Sequence, residues 1–290
     1  MKPLISILRP KQWIKNGFIF LPLIFGQKLF VYPENLNAIL AFVLFSCAAS
    51  ASYVLNDIYD AVWDRQHPVK RLRPIAAGII SSSHAWFLVM LLVSFSLFFA
   101  FKLSSAFGYV LTAYVIFNYF YSRFLKEEVI IDVFCLGLFF LLRIIAGNVS
   151  THVEWSYWMS VMVVLLALFL GFNKRRQELN HYGSKAGSHR KVLEKYDAYF
   201  IDQMISIVTS SIVVVYMLYT VDARTVRLFG NIHLIYSIPF VYYGIFRYHW
   251  LIHKLNSDGD PTSVLLSDRK MQINILLWIL VCISVIYFHL

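Results

Sequence analysis

Apolar residues in this chain come in long runs, and the polar positions are gathered between those runs. A membrane-spanning helix needs roughly 20 mostly apolar residues. Nine segments qualify, near 12–31, 36–57, 84–102, 105–122, 128–148, 155–173, 199–221, 232–252 and 271–289. Pro22 interrupts the first, and the fourth has short flanks. The pattern predicts an all-α, polytopic membrane bundle whose odd number of crossings puts the two termini on opposite sides.

Composition supports this. Of 290 residues, 59% are hydrophobic and 14% charged, against about 25% charge in average soluble domains, so a soluble globule, a disordered chain and a collagen are all excluded. Cys47, Cys135 and Cys282 fall inside apolar runs and read as small buried hydrophobes, neither a disulfide framework nor a metal knuckle. The charged start followed by 17–26 faintly mimics a signal peptide, but no small-residue cleavage site follows, so it is read as a retained first helix.

Charge then assigns the sides. The chain carries +10, with 26 Lys and Arg against 16 Asp and Glu. Of the bases, 21 fall on the side of the N-terminus and of the 2–3, 4–5, 6–7 and 8–9 loops. Lys28, Lys102, Arg224 and Arg227 fall on the other side, and Arg143 lies within a span. By the positive-inside rule the richer side, with the N-terminus, is cytoplasmic, which predicts an integral protein of the plasma (inner) membrane.

Topology does not require the acids, and three of them crowd into Asn56-Asp57-Ile58-Tyr59-Asp60-Ala61-Val62-Trp63-Asp64. On a helix, Asp57, Asp60 and Asp64 share one face, as do Asn56, Asp60 and Asp64. Like charges at that spacing repel unless a cation lies between them, and oxygen ligands that leave room for a substrate phosphate suit Mg²⁺. Arg65, His67, Lys70, Arg71 and Arg73 follow, then Pro74 and Gly78. Carboxylates for Mg²⁺ beside Arg and Lys for phosphate oxygens describe a diphosphate site. Neither a Walker loop nor a Rossmann glycine pattern is present, and no nucleic-acid partner is expected.

A second cluster, Asn173-Lys174-Arg175-Arg176-Gln177-Glu178, ends the sixth span on the same side. It is cationic where the first is acidic, and a four-helix unit used twice would set the two across one central cavity. The 174–198 segment that follows, with Lys185, Arg190, Lys191 and Lys195, reads either as a lid or as a surface for anionic lipid. Lys15 and Asn16, beside Gln12 and Trp13, and Tyr121, Ser122, Lys126 and Asp132 lie at the same depth, as interfacial anchors or facing the site. Arg143 either reaches the outer interface or pairs internally. His181, His189, His233, His249 and His253 show no metal spacing and read as polar surface.

The string Asn56-Asp57-x-x-Asp60-x-x-x-Asp64, with Arg73-Pro74 and Gly78 on a nine-span chain, resembles the UbiA superfamily of intramembrane prenyltransferases. The resemblance implies a single domain over 1–290, a helical bundle around a cavity open to the cytoplasmic side and to lipid, and Mg²⁺ held by aspartate-rich motifs. Where that superfamily carries a second aspartate cluster, this chain has Lys174, Arg175, Arg176 and Glu178. That departure, with Arg9-Pro10-Lys11-Gln12-Trp13-Ile14-Lys15-Asn16, the run His67–Gly78 and Tyr121-Ser122-x-x-Leu125-Lys126, is similar to the decaprenyl-phosphate phosphoribosyltransferase branch. The branch implies transfer of phosphoribosyl from 5-phosphoribosyl 1-diphosphate to a polyprenyl phosphate. Asn56, Asp57, Asp60 and Asp64 would then hold Mg²⁺-diphosphate, with Asp57, Asp60 and Asp64 the catalytic set.

The implied substrate-binding set is Lys15, Asn16, Arg65, Lys70, Arg71, Arg73, Tyr121, Ser122, Lys126, Asp132, Asn173, Lys174, Arg175 and Glu178. Two phosphorylated substrates at once need many bases, and a phosphomonoester is largely dianionic near neutral pH, so no general base is needed. Two other readings stand beside this one: prenylation of an aromatic acceptor such as a hydroxybenzoate, and a transporter or lipid-binding scaffold. Polyprenyl length and association into a homo-oligomer are left open.

Overall fold

The computed structural model describes residues 2–66, 69–183, 191–254 and 267–288. Helices and their connecting turns make up these residues, with no strand among them. His67, Pro68, Lys185, Gly187, His189 and Arg190 lie outside the described residues. The chain divides into two compact units, Met1–Trp155 and Ser156–Leu290, and each is described by itself.

The first unit is built on α3 (Glu34–Asp64), against which α4 (Ser82–Leu103), α5 (Ser105–Arg123) and α6 (Ile131–Thr151) pack. Small residues let them come close: Ala38, Ala41, Ala48, Ala49, Ser50 and Ala51 of α3 are all buried. One core layer joins Leu44, Phe45, Phe107, Leu111, Tyr114 and Phe139; another joins Val54, Leu55, Ile75, Ala85 and Val89. At 31 residues, α3 is about 46 Å long, more than the roughly 30 Å of a bilayer core, and its C-terminal end carries the acids.

The N-terminal segment is not the single α-helix expected over 12–31. After α1 (Lys2–Ile7), a 3-10 helix runs from Pro10 to Phe20 and passes into α2 (Leu21–Phe25). Such long 3-10 runs are uncommon, and register explains this one. Three residues of 3-10 helix rise about 6 Å, as do four residues of α-helix. Trp13 and Asn16 therefore meet Ser50 and Ser46 of α3, through Trp13 Nε1–Ser50 Oγ (3.0 Å) and Asn16 Nδ2–Ser46 Oγ (2.9 Å). Ile19, one 3-10 turn further on, is buried with Ala41 and Phe45. On the opposite side α6 approaches so closely that a Cβ on Gly147 would collide with the Ile19 carbonyl.

In the second unit α7 (Tyr157–Tyr182) packs on α8 (Ala198–Val221), and α9 (Ala223–Phe229) and the 3-10 turn His233–Ser237 lead into α10 (Ile238–Lys254). Asp222 caps α9 through the Arg224 and Thr225 amides, and Gly230 at φ 74° ends it. The last helix, α11 (Arg269–Phe288), packs on α10. Trp278 Nε1 donates to Tyr216 Oη (3.0 Å), which lies 2.6 Å from Ser237 Oγ, so α8, α11 and the 3-10 turn share one buried polar node.

Among the described residues, six helices (α3, α4, α6, α7, α8 and α11) are both long and apolar enough to cross a membrane. A seventh crossing arises if Ala223–Phe229 and His233–Ile252, bent by 100°, count as one. The segment expected at 105–122 is continuous helix, but Tyr109, Tyr114, Asn118, Tyr119 and Tyr121 make it less apolar. Outward-facing apolar side chains such as Phe87, Tyr109 and Phe246 fit a lipid surround. The three cysteines are free thiols.

Candidate active site

The last turns of α3 place Asp57, Asp60 and Asp64 along one stripe; Asp57 and Asp64 are buried and Asp60 is partly buried. Three bases from three other segments meet them. Arg73 Nη1 lies 3.1 Å from Asp57 Oδ1 and 2.6 Å from Asp64 Oδ2. Arg9 Nη2 lies 2.5 Å from the same Asp57 oxygen, and Lys126 Nζ lies 2.6 Å from Asp60 Oδ1. Charge-assisted bonds of this length are strong, and they answer carboxylates that burial would otherwise penalise.

Local backbone sets each base. Arg73 follows the 3-10 turn Lys70–Leu72 and opens a tight turn, with Ala77 N bonded to Arg73 O, Ile80 N to Pro74 O, and Gly78 at φ 74°. Ile75 and Ala76 are buried there, which anchors the guanidinium. Arg9 adopts the left-handed conformation, φ 50° and ψ 58°, immediately before Pro10. That is a costly state for a residue with a Cβ, of the order of 1–3 kcal/mol, and its guanidinium also lies 5.3 Å from the Tyr53 ring centroid. Lys126 sits in the turn Leu125–Glu127, ahead of Ile130, a β-branched residue at φ 69°.

The other expected residues separate by place. Arg65 and Arg71 are exposed beside the acids, and Lys15 and Lys70 are partly buried. Ser122 is buried near the end of α5, Tyr121 packs edge-on against Phe139, and Asp132 is fully buried in the first turn of α6. Asn16 departs from expectation. Its Nδ2 donates to Ser46 and its Oδ1 accepts from Arg143 Nε at 2.8 Å, at a level ten residues before Asn56 on α3, about 15 Å along the helix. Arg143 is thus paired internally, with Nη1 donating to Phe139 O (2.7 Å), Nη2 to Tyr114 Oη (3.3 Å), and the rings of Phe45, Tyr114 and Phe140 around it. Arg9 was missed as a site residue, although its Arg-Pro pair was visible.

In the second unit Asn173, Arg175 and Glu178 are buried on α7 and Lys174 is partly buried. The cationic pole expected there is largely answered within the unit. Arg175 Nη1 bonds Glu178 Oε2 at 2.7 Å, and Arg176 Nε bonds Asp202 Oδ1 of α8 at 2.7 Å and also reaches Asn180. A buried guanidinium requires such a partner. The expectation that the two clusters face each other concerns the relation of the units, and each is described by itself.

No three carboxylate, His or Cys side chains among the described residues form a ready-made metal cage. The expected set of Asn56, Asp57, Asp60 and Asp64 is divided, with Asp60 turned to Lys126 and the other two acids to Arg73. The residues still fit a hard divalent cation. Asp57 Oδ1 and Asp64 Oδ2 converge on one cationic atom, and Asn56 Oδ1 is buried without a partner. Mg²⁺ characteristically takes one or two carboxylates and completes its shell with water and substrate phosphate.

Comparison with known proteins identifies the family and the fold. The chain is 31% identical over 280 residues to decaprenyl-phosphate phosphoribosyltransferase of Mycobacterium tuberculosis, covering 95% of this chain and 91% of that protein. It is 30% identical over 289 residues to the protein of the same name from Corynebacterium glutamicum, covering 98% and 86%. The fold is shared with a UbiA homolog from Archaeoglobus fulgidus solved with GPP and Mg²⁺, at TM-score 0.74 and 20% identity, over 98% of this chain and 99% of that one. The UbiA prenyltransferase family model matches residues 19–276, and this integral membrane protein belongs to that family.

Proposed function

We propose that this protein transfers the 5-phosphoribosyl group from 5-phosphoribosyl 1-diphosphate to a polyprenyl phosphate and releases diphosphate. The observation that carries the reading is near end-to-end similarity, at 30–31% identity, to proteins named for that reaction. The acid end of α3 supports it, since three carboxylates and a surplus of nearby bases suit a substrate pair rich in phosphate.

In this reading Asn56, Asp57, Asp60 and Asp64 hold Mg²⁺, which when bound would stabilise negative charge on the departing diphosphate. Arg9, Arg73 and Lys126, with Lys70, Arg71 and Arg65, neutralise and orient the phosphates. An oxygen of the acceptor phosphate attacks the anomeric carbon as the bond to diphosphate breaks, and the diphosphate leaves with the electron pair. Because the acceptor is already largely dianionic, no side chain has to remove a proton. Holding both substrates in line removes much of the entropic barrier.

We further propose one domain with nine crossings in the plasma membrane, and the acid end of α3 on the cytoplasmic side. The 3-10 run Pro10–Phe20 and α2 together rise about 30 Å, and α5 rises about 28 Å; each is long enough for a crossing beside the seven counted above.

The test is incubation of the purified protein with radiolabelled phosphoribosyl diphosphate, a polyprenyl phosphate and Mg²⁺. Label moving into the organic phase, dependent on the lipid phosphate, is the expected result; its absence removes the reading. Prenylation of a hydroxybenzoate by the same preparation favours the alternative, to which the family name and the prenyl diphosphate bound in the Archaeoglobus protein lend weight.

A further inference from the structure

The three carboxylates of the acid string are matched by three bases, and the match is not a loose one. A single atom, Arg73 Nη1, serves both Asp57 and Asp64, the two more deeply buried acids of the string, while Arg9 adds a second guanidinium at Asp57. Arg73 occupies the point toward which those two oxygens converge. A divalent cation using both oxygens must take that point, and the guanidinium must leave it. Entering alone, the cation would add positive charge to a cluster that is already balanced and partly buried, and two arginines would lose their carboxylates. Entering with a diphosphate, it brings anionic oxygens suited to the fork of each displaced guanidinium.

We propose that Arg73, assisted by Arg9, is an exchangeable counter-ion. It closes the Asp57–Asp64 pair when no substrate is bound, and it passes to the diphosphate as the divalent cation takes its place. Resting on the diphosphate reading above, the proposal adds a rule of entry: cation and diphosphate bind with positive coupling, each strengthening the other. Arg9 fits the same role. Its strained left-handed backbone is held where its side chain reaches Asp57, as expected of a residue whose position is set by the site and not by local preference.

The experiment uses the full chain in lipid nanodiscs, with Mn²⁺ as the metal and inorganic diphosphate as the anion, and measures binding of each alone and together by electron paramagnetic resonance and calorimetry. In the wild type, Mn²⁺ alone binds weakly, and diphosphate tightens it by about tenfold or more, within the usual range of coupling between sites. Arg73→Gln moves the two ligands in opposite directions: Mn²⁺ alone binds about fivefold or more tightly, and diphosphate binds about tenfold more weakly. Lys11→Gln removes the same charge from an exposed position two residues from Arg9, outside the phosphate-binding set, and changes Mn²⁺ binding by less than about twofold.

Unchanged or weaker Mn²⁺ binding in Arg73→Gln overturns the proposal, as does an equal gain in Lys11→Gln, which would reduce the effect to general charge. If Arg73→Gln does not fold by circular dichroism, Arg9→Gln decides. It leaves Arg73 across both acids and is expected to tighten Mn²⁺ by a smaller factor, about two- to threefold; no gain overturns the proposal. The assay needs no phosphoribosyl donor. Failure of lipid labelling with the Mn²⁺ pattern intact therefore rejects the reaction, and labelling with the pattern absent rejects the exchange.

Discussion

Two arginines of the first unit show what a membrane protein does with a buried cation. Arg73, at the end of the bundle, bridges two carboxylates and keeps 27% of its side-chain surface exposed. Arg143, at mid-bundle, is 4% exposed and finds neutral partners only: an asparagine oxygen, a backbone carbonyl, a phenol and three aromatic faces. A carboxylate partner can be given up to a metal, because another cation serves it as well and the freed guanidinium can find a phosphate. Neutral oxygens and ring faces offer no such exchange, so Arg143 ties the 3-10 segment, α5 and α6 together. The polar cluster that changes partners belongs to function, and the one that cannot belongs to the scaffold.

The sharpest way to break this comparison is at the acid end. Asp60→Asn and Asp64→Asn are expected to lower phosphoribosyl transfer by roughly a thousandfold or more, while circular dichroism and gel filtration stay normal. Full lipid labelling by both variants would end the claim that the string is chemical. Arg143→Met is the counterpart. It leaves Asn16 Oδ1, the Phe139 carbonyl and the Tyr114 hydroxyl short of a donor, and should cost roughly 2–4 kcal/mol of stability, read as a lower unfolding midpoint. Transfer per folded molecule should change little; a large loss of transfer at an unchanged midpoint would move Arg143 into the site.

The acid string was legible because its carboxylates lie on one helix, where spacing alone fixes the shared face. The pairing of Arg175 with Glu178 is visible in the same way, at i, i+3, and the cost of burying an unpaired guanidinium is what requires it. Long-range partners carried no local signal. Nothing near Arg143 in sequence points to Asn16 or Tyr114, and Arg9 lies 48 residues from Asp57. The apolar runs located the bounds of α3, α4, α6, α7, α8 and α11 to within three residues, except that α3 and α7 run on past the apolar stretch through their polar ends, to Asp64 and Tyr182. In the first segment apolar content locates the run but not its helix type, which lies in the period: Trp13, Asn16 and Ile19 recur every third residue, the repeat of a 3-10 helix. In the eighth, Pro239 marked the start of α10 at Ile238, since proline is at home in the first helical turn.

Smaller effects sharpen the scaffold side. Ser46→Ala removes the acceptor of Asn16 Nδ2 and should lower stability by about 1 kcal/mol with Mn²⁺ and diphosphate binding unchanged. A shift in either would mean that the 3-10 segment transmits to the acid end.

The smallest effect is expected at a third arginine, in the second unit. Asp268 accepts from Arg247 Nε at 3.2 Å and Nη2 at 2.7 Å, and its Oδ1 caps α11 through the Met271 amide at 2.7 Å. The hydrogen bonds from Arg247 foremost, then the Met271 amide and the nearby cationic charges, outweigh desolvation and hold its carboxyl below the ordinary aspartate value. The folded state therefore gives up this charge less readily than the unfolded chain, whose aspartates protonate near pH 3.9, about a unit below which most are neutral. The contact's contribution is complete above that value and is lost as pH falls through the lower folded pKa. Asp268→Asn should flatten this part of the acid limb of a midpoint-against-pH curve and leave the neutral region nearly unchanged, a modest effect for a pair at the rim of the unit. Mn²⁺ binding should not respond, because this ion pair shares no residue with the Asp57–Asp64 cluster; a gain in Mn²⁺ affinity would show that loss of any ion pair mimics the exchange at α3.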